Sequence, residues 1–381
     1  MDVIFVINQH YPYGMAGTLR IKLFTEFLVR KGASVNVLIS NQDNALNSQS
    51  GSHNGVNYST IIDKKIPKLL FYLFYPLAVA FKILKFKKKN HKNYIVIYGN
   101  VDLYTLPYVI IAKISGYKVL LDIVEDYGLT DESLSWKGKV NSWFSEIIMP
   151  YGMKFIDGIV VISMYLDNKY KVMFPDMPLV KIPVSAANLS YESLIQKPSS
   201  EDLCFVYCGS FGIKDGLDYL IKAFDNVSKN HPNISLKLLG QAENEIIDKV
   251  NSLENYNISF TGFLPDKDYW KAIHLADILC MTRIDSPFAH AGFPFKLGEY
   301  LATGRPVIAT DVSDVRYYLD DKIDIVMAKP SDTPSLINAM EYLIKNPDKR
   351  DLIGMNGYEK CTKYFNPEVN SQILLDFINE I

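Results

Sequence analysis

The feature that most constrains the fold is a regular alternation of short apolar runs with stretches of helical periodicity, which occurs twice along the chain. The first series begins with the apolar run Asp2–Asn8 and an amphipathic stretch from about Thr18 to Lys31, and the second begins with Leu203–Cys208. Residues 41–58, rich in Asn, Ser and Gly, are predicted as a surface loop. Strands that alternate with helices form parallel sheets covered by helices. The pattern predicts an α/β protein with two Rossmann-like, doubly wound domains.

The length of 381 residues is sufficient for two domains, each with its own core. Between Pro183 and Asp202 the periodicity gives way to Ser, Asn, Lys and Pro, which is typical of a linker. We therefore predict an N-terminal domain over residues 1–185 and a C-terminal domain over residues 186–366. The last helix, over residues 367–381, is left open between its own domain and a return to the first.

Charge and cysteine content exclude several classes of protein. A formal net charge of -2 argues against general nucleic-acid binding, which requires a basic excess. The four cysteines form no C-x-x-C pair and have no histidine at metal-ligand spacing, so they are interpreted as reduced thiols. The N-terminal run lacks the basic flank and cleavage site of a signal peptide. We expect a cytoplasmic protein.

One segment has the composition of a membrane-surface helix. Leu69–Phe81 contains no charged residue, and six lysines follow it between Lys82 and Lys92. A bilayer span requires roughly 20 apolar residues, so this run is too short to cross a membrane. An apolar helix with a lysine-rich end suits the interface of an anionic membrane. The alternative is a buried helix with a solvated basic end. Residues 69–92 are predicted to contact the inner membrane face.

The stretch Phe293–Asp311 combines a loop, a helix beginning beside Pro294, a stop at Gly304 and a short buried strand. Lys296 and Glu299 are three residues apart, so they project from one face of that helix. The free amides of a helix N-terminus bind anions. A cation, a carboxylate and free amides at one place suit a nucleotide with its phosphates.

A second glycine-bearing loop, Gly209–Gly216, follows the first strand of the second predicted domain. Gly209 and Gly212 permit close approach of a backbone to a ligand, and Lys214 supplies a point charge for phosphate. The loop has neither the P-loop spacing nor G-x-G-x-x-G, so alone it also fits an ordinary turn. Ligands of doubly wound sheets bind beyond the carboxyl ends of the strands, where this loop and the loop Ala291–Lys296 are both expected to lie. We therefore expect both loops to contact one diphosphate.

Together, the segments Gly209–Gly216, Phe260–Phe263 and Gly292–Val307 resemble those of retaining, nucleotide-sugar-dependent glycosyltransferases with the GT-B fold, the group 1 or family 4-like enzymes. The resemblance implies two Rossmann-like domains facing a cleft, with the donor held mainly by the second. It also implies that the nucleobase lies near Phe263, the ribose at Glu299, and the first-domain glycine loop at Gly14–Gly17. The implied donor-binding residues are Gly17, Gly209, Ser210, Lys214, Phe263, Ala291, Gly292, Phe293, Pro294, Phe295, Lys296 and Glu299.

Two positions depart from the pattern of that family. Ala291 occupies the place of a glutamate that reaches the donor sugar, and Ser210 occupies the place of an arginine. His290 and Asp285 are neighbours that could substitute for the missing glutamate. The residues expected to bind the nucleotide therefore fit the family pattern, whereas the sequence does not identify the residue that contacts the sugar.

The first domain is expected to supply acceptor recognition. Glu125 and Asp126 end an apolar strand and are the candidate catalytic carboxylates, which would orient an acceptor hydroxyl or take its proton; the alternative is a charged strand exit. Arg20 is expected to face solvent, and His10 is interpreted as structural. No Asp-x-Asp motif is placed to hold a metal, so lysines and helix N-termini are expected to balance the charge of the leaving group, with no metal or other cofactor.

The leading hypothesis is a hexosyltransferase-type enzyme that transfers a sugar from a nucleoside diphosphate to an acceptor hydroxyl with retention of configuration. The lysine-rich segment favours a lipid-linked saccharide acceptor in polysaccharide or surface-glycan biosynthesis. A nucleotide-sugar epimerase of the same fold is a second hypothesis, which the membrane-like segment disfavours. A non-catalytic nucleotide-binding scaffold is a third, supported by Ala291 and Ser210.

Overall fold

The computed structural model describes residues 1–14, 16–40, 48–62, 68–126, 129, 147–186, 202–241, 244–253, 255 and 257–381. The chain forms two compact units, one made of Met1–Pro183 with Pro367–Ile381 and the other of Val184–Asn366. Most of the segment predicted as the linker, residues 187–201, lies outside the described residues. Each unit is an α/β structure built on its own sheet, as the alternation predicts.

The sheet of the first unit has the strand order β3-β4-β2-β1-β5-β6-β7-β8, and all pairings are parallel except that of β3 with β4. Residues 2–7, in β1, are buried on both faces, which is typical of a central parallel strand. The strands are β1 (Asp2–Ile7), β2 (Ser34–Ile39), β3 (Ser50–His53), β4 (Val56–Thr60), β5 (Asn93–Tyr98), β6 (Lys118–Ile123), β7 (Gly158–Val161) and β8 (Leu179–Lys181).

Helices connect the parallel strands of this unit. The described helices before residue 184 include α1 (Ala16–Arg30), α2 (Lys68–Phe86), α3 (Leu106–Ile114) and α4 (Met164–Met173). From β1 the chain moves towards one edge of the sheet, and from β5 it moves towards the other. Right-handed crossovers therefore place α1 and α3 on opposite faces. α2 packs beside α3, and their side chains meet where the rings of Tyr75 and Tyr108 form an edge-to-face pair.

The second unit has a parallel sheet with the order β11-β10-β9-β12-β13-β14. Its strands are β9 (Leu203–Cys208), β10 (Ile234–Leu239), β11 (Ile258–Gly262), β12 (Ile278–Met281), β13 (Val307–Thr310) and β14 (Val326–Ala328). Its helices are α5 (Leu217–Ser228), α6 (Asn244–Ser252), α7 (Asp266–His274), α8 (Pro287–Ala291), α9 (Phe295–Leu301), α10 (Val315–Tyr318), α11 (Thr333–Lys345) and α12 (Pro347–Tyr364). The strand order reverses between β9 and β12, so the loops that follow these two strands flank a topological switch point.

The C-terminal helix α13 (Pro367–Glu380) belongs to the first unit, where it packs on α1. Arg30 of α1 forms an exposed ion pair with Glu368 of α13. Phe377 of α13 lies against Gly158, where an added Cβ would stand 2.8 Å from its ring. The helix thus returns to the first unit, one of the two placements that the sequence leaves open.

Two expectations from the sequence are wrong. The predicted loop over residues 41–58 contains part of a hairpin, β3 and β4, although residues 41–47 are not described. β3 consists of the polar, mostly exposed residues 50–53, so no apolar run marks it as a strand. Arg20 does not face solvent: its side chain is buried, stacks on Phe24 and pairs with Asp122.

Candidate functional site

The Gly209 loop lies at the switch point of the second sheet, directly after β9. Its first glycine is crowded, because an added Cβ would stand 2.6 Å from the Lys296 Nζ and 2.7 Å from the Tyr207 hydroxyl. An added Cβ on Gly240, which follows β10, would stand 2.0 Å from the carbonyl oxygen of Gly209. The close approach of these two backbones therefore requires glycine at position 240, whereas a Cβ on Gly209 would displace the ends of the Lys296 and Tyr207 side chains. Within this unit, the structure brings Gly209 and Lys296 together.

Lys296, in the first turn of α9, is the cation of this site. Its Nζ lies 2.9 Å from the hydroxyl of Tyr207 and 3.3 Å from Oδ1 of Asp215. The same ammonium lies 4.4 Å from the centre of the Tyr207 ring. Asp215 ends the 3₁₀ turn Ile213–Asp215 of the glycine loop, and its Oδ2 lies 3.4 Å from the Ser210 hydroxyl. Lys296 thus bridges the switch point between the loop after β9 and the helix after β12.

Burial controls the protonation of this cluster. Burial lowers the pKa of the Lys296 ammonium from its ordinary value, and the positive charge of Arg283 lowers it further, although Asp215 opposes both effects. Burial alone would raise the pKa of Asp215, but the charges of Lys296 and Arg283 hold that pKa below its ordinary value. The pair therefore consists of an ammonium and a carboxylate, each dependent on the other for its charge.

Glu299 lies one turn after Lys296 on the same helix. The hydroxyl of Tyr269, on α7, donates a hydrogen bond to Oε2 of Glu299 at 2.5 Å. Burial and the neighbouring Glu299 charge raise the pKa of the Tyr269 hydroxyl well above its ordinary value, so it stays a donor. A carboxylate fixed in this way accepts hydrogen bonds in a defined direction, as recognition of a ribose requires.

The other predicted donor-binding residues of the second unit differ in their surroundings. Phe293 is buried against Tyr318 and Phe365, so its side chain is part of the core. Ala291 and Gly292 are buried, and the Gly292 carbonyl accepts a hydrogen bond from Arg283. The Lys214 Nζ lies 4.7 Å from the centre of the Phe288 ring. Of the remaining positions, Pro294 is buried, Phe295 and Gly209 are half-buried, and Ser210 and Phe263 are exposed.

The free amides of α9 contribute less than the sequence suggests. α9 has only seven residues, and its N-cap residue is Pro294. A helix this short has few aligned peptide dipoles, so its macrodipole is small. The chemistry of the site therefore rests on the side chains of Lys296 and Glu299.

His290 and Asp285, the neighbours of the buried Ala291, form a pair. Nε2 of His290 lies 2.9 Å from Oδ1 of Asp285, and Nδ1 accepts a hydrogen bond from the backbone N–H of Ser313 at 3.1 Å. An imidazole whose Nδ1 accepts a hydrogen bond carries its proton on Nε2. His290 thus joins the loops that follow β12 and β13.

In the first unit, the predicted catalytic carboxylates follow β6. Asp126 is buried, and both of its oxygens lie 2.7 Å from the Nζ of Lys169 on α4. Glu125 is half-buried. Gly17, in the first turn of α1, is packed so closely that an added Cβ would stand 2.7 Å from the Tyr98 hydroxyl. These three residues belong to a different unit from Lys296.

The sequence did not indicate which residues form hydrogen bonds with Lys296 and Glu299. Tyr207 and Asp215 hold Lys296, and Tyr269 holds Glu299, yet each of these contacts joins residues far apart in the chain. The one available signal was the position of Asp215 in the glycine loop, next to Lys214. Among the described residues, no group of three or more His, Cys, Asp or Glu side chains is arranged to hold a metal ion.

The residues of this site lie in a segment that matches a known protein family. Residues 192–360, which include the Gly209 loop, Lys296 and Glu299, match the family model of glycosyl transferases group 1. The chain carries a glycosyl transferase group 1 domain. A phosphatidyl-myo-inositol mannosyltransferase of Mycobacterium leprae is 24% identical to it over 236 residues. That match covers 61% of this chain and 62% of the relative, so it spans under two thirds of that protein.

Solved structures show that the fold extends beyond the group 1 domain. Sucrose-phosphate synthase from Thermosynechococcus elongatus has a TM-score of 0.79 at 14% identity, over 100% of this chain and 98% of its own. HepE from Anabaena, in complex with UDP and glucose, has a TM-score of 0.73 at 14% identity, over 100% of both chains. The predicted GT-B fold is confirmed, and residues 192–360 match the predicted family, the group 1 glycosyltransferases.

Proposed function

We propose that this glycosyltransferase moves a sugar from a nucleoside diphosphate donor to an acceptor hydroxyl with retention of configuration. The observation that carries the proposal is the juxtaposition of Lys296 with the Gly209 backbone, beside the oriented carboxylate of Glu299. A positive charge beside a glycine backbone suits a diphosphate, and a fixed carboxylate suits ribose hydroxyls. HepE, a structural neighbour, was solved with UDP-glucose, which supports a donor of this class.

In the proposed reaction, the bond between the sugar and the diphosphate breaks, and negative charge develops on the leaving phosphate. Lys296 stabilises that charge electrostatically, and it does so more strongly in a partly buried site than in water. We propose that the reaction requires no metal, because the ammonium performs the role that a bound cation would otherwise have.

For the acceptor, we propose a lipid-linked saccharide bound by the first unit. Glu125, two residues after β6, is the proposed base or orienting group for the acceptor hydroxyl. Asp126 has both oxygens engaged with Lys169, so its proposed role is to fix the strand exit beside Glu125. Support for a lipid-linked acceptor comes from the M. leprae relative, a phosphatidyl-myo-inositol mannosyltransferase.

A thermal-shift panel of UDP-, GDP- and ADP-sugars tests the donor class. A donor at 100 times its dissociation constant stabilises the protein by about 2.7 kcal/mol, so a true donor raises the melting temperature measurably. Glu299→Ala should abolish that shift, whereas Glu359→Ala, at an exposed position of α12, should preserve it. A folded protein that responds to no nucleotide sugar contradicts the proposal. Binding with neither transfer nor donor hydrolysis would instead support the scaffold alternative.

We also propose that α2 docks on the cytoplasmic face of an anionic membrane. Phe74, Leu77, Phe81 and Leu84 lie at helical spacing and are between 50% and 69% exposed, so α2 presents an apolar stripe. The lysines at 85, 87, 89 and 92, at its C-terminal end, are also exposed, and each cation near an anionic surface adds about 1 kcal/mol. The four free cysteines suit a reducing compartment. Among the described residues, no helix has the length and hydropathy of a bilayer span.

Flotation with liposomes tests this docking. The protein should float with phosphatidylglycerol vesicles and not with phosphatidylcholine vesicles, because the lysines require anionic lipid. Leu77→Ser combined with Phe81→Ser should abolish flotation, as should neutralising the lysines at 85, 87, 89 and 92 together. Leu352→Ser, at an exposed apolar position of α12, is the matched control and should float like the wild type. If the lysine variant floats unchanged, electrostatic docking through α2 is wrong.

A further inference from the structure

Asp215 is a buried carboxylate that the proposed reaction does not use. It is 4% exposed and lies in the glycine loop, where its backbone carbonyl accepts a hydrogen bond from the Thr282 hydroxyl at 2.7 Å. Its side chain also forms a hydrogen bond with the Tyr207 hydroxyl. These contacts fix the carboxylate in place, so it can orient the cation that pairs with it.

Lys296, the partner of Asp215, has more hydrogen-bond donors than acceptors within the described part of the chain. An ammonium has three N–H donors, and within the described part of the chain Lys296 has two acceptors, the Tyr207 hydroxyl and Asp215 Oδ1. The Lys296–Asp215 distance of 3.3 Å exceeds the 2.7–2.9 Å or so of a strong charge-assisted hydrogen bond. The Lys296 side chain is 17% exposed, so a ligand can reach it. One donor of the ammonium therefore remains for an anion.

We propose that Asp215 is a positioning residue for Lys296: it keeps the buried ammonium charged and aimed beside Gly209, where the donor diphosphate binds. This inference rests on the proposed donor site. A buried lysine loses its proton readily unless a carboxylate is near, and Asp215 supplies that carboxylate. Since Asp215 lies on the loop and Lys296 on α9, the pair also sets the distance between these two elements.

The groups around Lys296 favour loss of its proton when Asp215 is absent. Arg283, in the segment after β12, lies close enough for its positive charge to lower the pKa of Lys296. Tyr207 and Cys208 on β9 stay neutral, since burial raises the pKa of the Tyr207 hydroxyl well above its ordinary value and that of the Cys208 thiol to about 12. Glu299, one turn along α9, is engaged with Tyr269. Asp215 is therefore the principal carboxylate that sustains the charge.

The test measures the affinity for UDP-glucose and for GDP-mannose at pH values of about 6 and about 9, below and near the range where a perturbed lysine titrates. Wild-type affinity should be equal at both. Asp215→Asn should lose roughly tenfold or more between the lower and the higher pH, as expected for loss of a charge-assisted contact. Asp218→Asn, an exposed aspartate of α5 paired with Lys249, is the matched control and should behave like the wild type.

A double variant isolates the charge of Lys296. In Asp215→Asn with Lys296→Arg, the guanidinium keeps its proton at every pH used, so the pH dependence should disappear. If Asp215→Asn fails to fold by its melting curve, Asp215→Ser replaces it, since serine removes the same charge. A donor-independent readout is the rate of Lys296 acylation, followed by mass spectrometry, which should rise at lower pH in Asp215→Asn than in the wild type.

The outcomes separate this inference from the donor function. If the wild type binds nucleotide sugars and Asp215→Asn matches it at both pH values, Asp215 does not position Lys296. Tighter binding by Asp215→Asn would make Asp215 a competitor of the donor, and a loss independent of pH would make its role merely structural; both overturn the inference. Failure of the wild type to bind any nucleotide sugar contradicts the donor site itself, whatever the acylation rates show.

Discussion

Each unit contains a buried ion pair at the carboxyl end of its sheet, and the two pairs differ in how many hydrogen-bond donors of the cation have an acceptor within the protein. In the first unit, Arg20 and Asp122 are 1% and 3% exposed, and the guanidinium also donates to the carbonyls of Ile182 and Pro183. In the second, Lys296 is 17% exposed and lies 3.3 Å from Asp215. A cation whose donors are consumed inside the protein stabilises the fold. A cation held loosely, with a donor to spare, is suited to a ligand.

The comparison predicts its largest effect at Arg20. Arg20→Leu leaves Asp122 buried without its partner, so the free energy of unfolding should fall by about 3–5 kcal/mol. Urea denaturation measures the change. Arg30→Leu, which removes the exposed pair with Glu368, is the control and should cost no more than about 1 kcal/mol. Equal costs for the two variants would mean that burial does not distinguish these pairs.

Lys296→Met should cost less stability than Arg20→Leu. Asp215 keeps hydrogen bonds to Tyr207 and Ser210 when the ammonium is gone, and Arg283 remains nearby. We expect a loss of about 1–3 kcal/mol in urea denaturation, the usual cost of a weakened buried hydrogen-bonding group. Lys229→Met, in an exposed pair of α5, is the matched control. A loss as large as that of Arg20→Leu would make the Lys296 pair a structural one.

Gly209→Ala should displace the Lys296 ammonium without removing it, which tests whether the position of this cation matters for binding. The new Cβ would stand 2.6 Å from Lys296 Nζ, the mobile end of a side chain that can move away. Nucleotide-sugar affinity should fall about tenfold, which corresponds to about 1.4 kcal/mol. In Gly212→Ala, the nearest side-chain atom to the new Cβ is 3.8 Å away, so the Lys296 ammonium should stay in place and affinity should fall by less than in Gly209→Ala. Isothermal titration calorimetry compares the two, and equal affinities would separate Gly209 from the site.

The smallest effect is predicted at Tyr269. Tyr269→Phe removes the hydroxyl that orients Glu299, which should weaken UDP binding by about 0.5–1.5 kcal/mol. The dideoxy analogue that lacks both ribose hydroxyls should bind the variant and the wild type equally, because Glu299 has nothing to accept from it. Equal weakening for UDP and its analogue would show that Tyr269 acts elsewhere.

Local patterns predicted the elements of the fold well. β9 has the bounds that its apolar run predicts, Leu203–Cys208, and β13, Val307–Thr310, is the short buried strand predicted after Gly304. β3 was missed because its four residues are polar and mostly exposed, so hydrogen bonding to β4 rather than an apolar pattern makes it a strand. Lys296 and Glu299 lie on one helix, as their spacing predicts, because that relation is local.

Contacts between distant segments were not available from the sequence. Arg20 was wrongly expected in solvent because its partner, Asp122, lies 102 residues further along the chain. Asp215 and Lys296 are 81 residues apart, and Tyr269 and Glu299 are 30 residues apart. A single sequence shows which residue types are present at a strand end. The order of the strands in the sheet decides which strand ends lie side by side, and therefore which charged side chains form pairs.

The most direct test of the central claim compares a nucleoside diphosphate with its nucleoside. Calorimetry of UDP against uridine, and of GDP against guanosine, gives the affinity contributed by the diphosphate in the wild type and in Lys296→Met. If the loosely held ammonium binds the donor phosphates, the wild type should prefer the diphosphate, and Lys296→Met should lose most of that preference while it still binds the nucleoside. A preference that is the same in both proteins would contradict the claim.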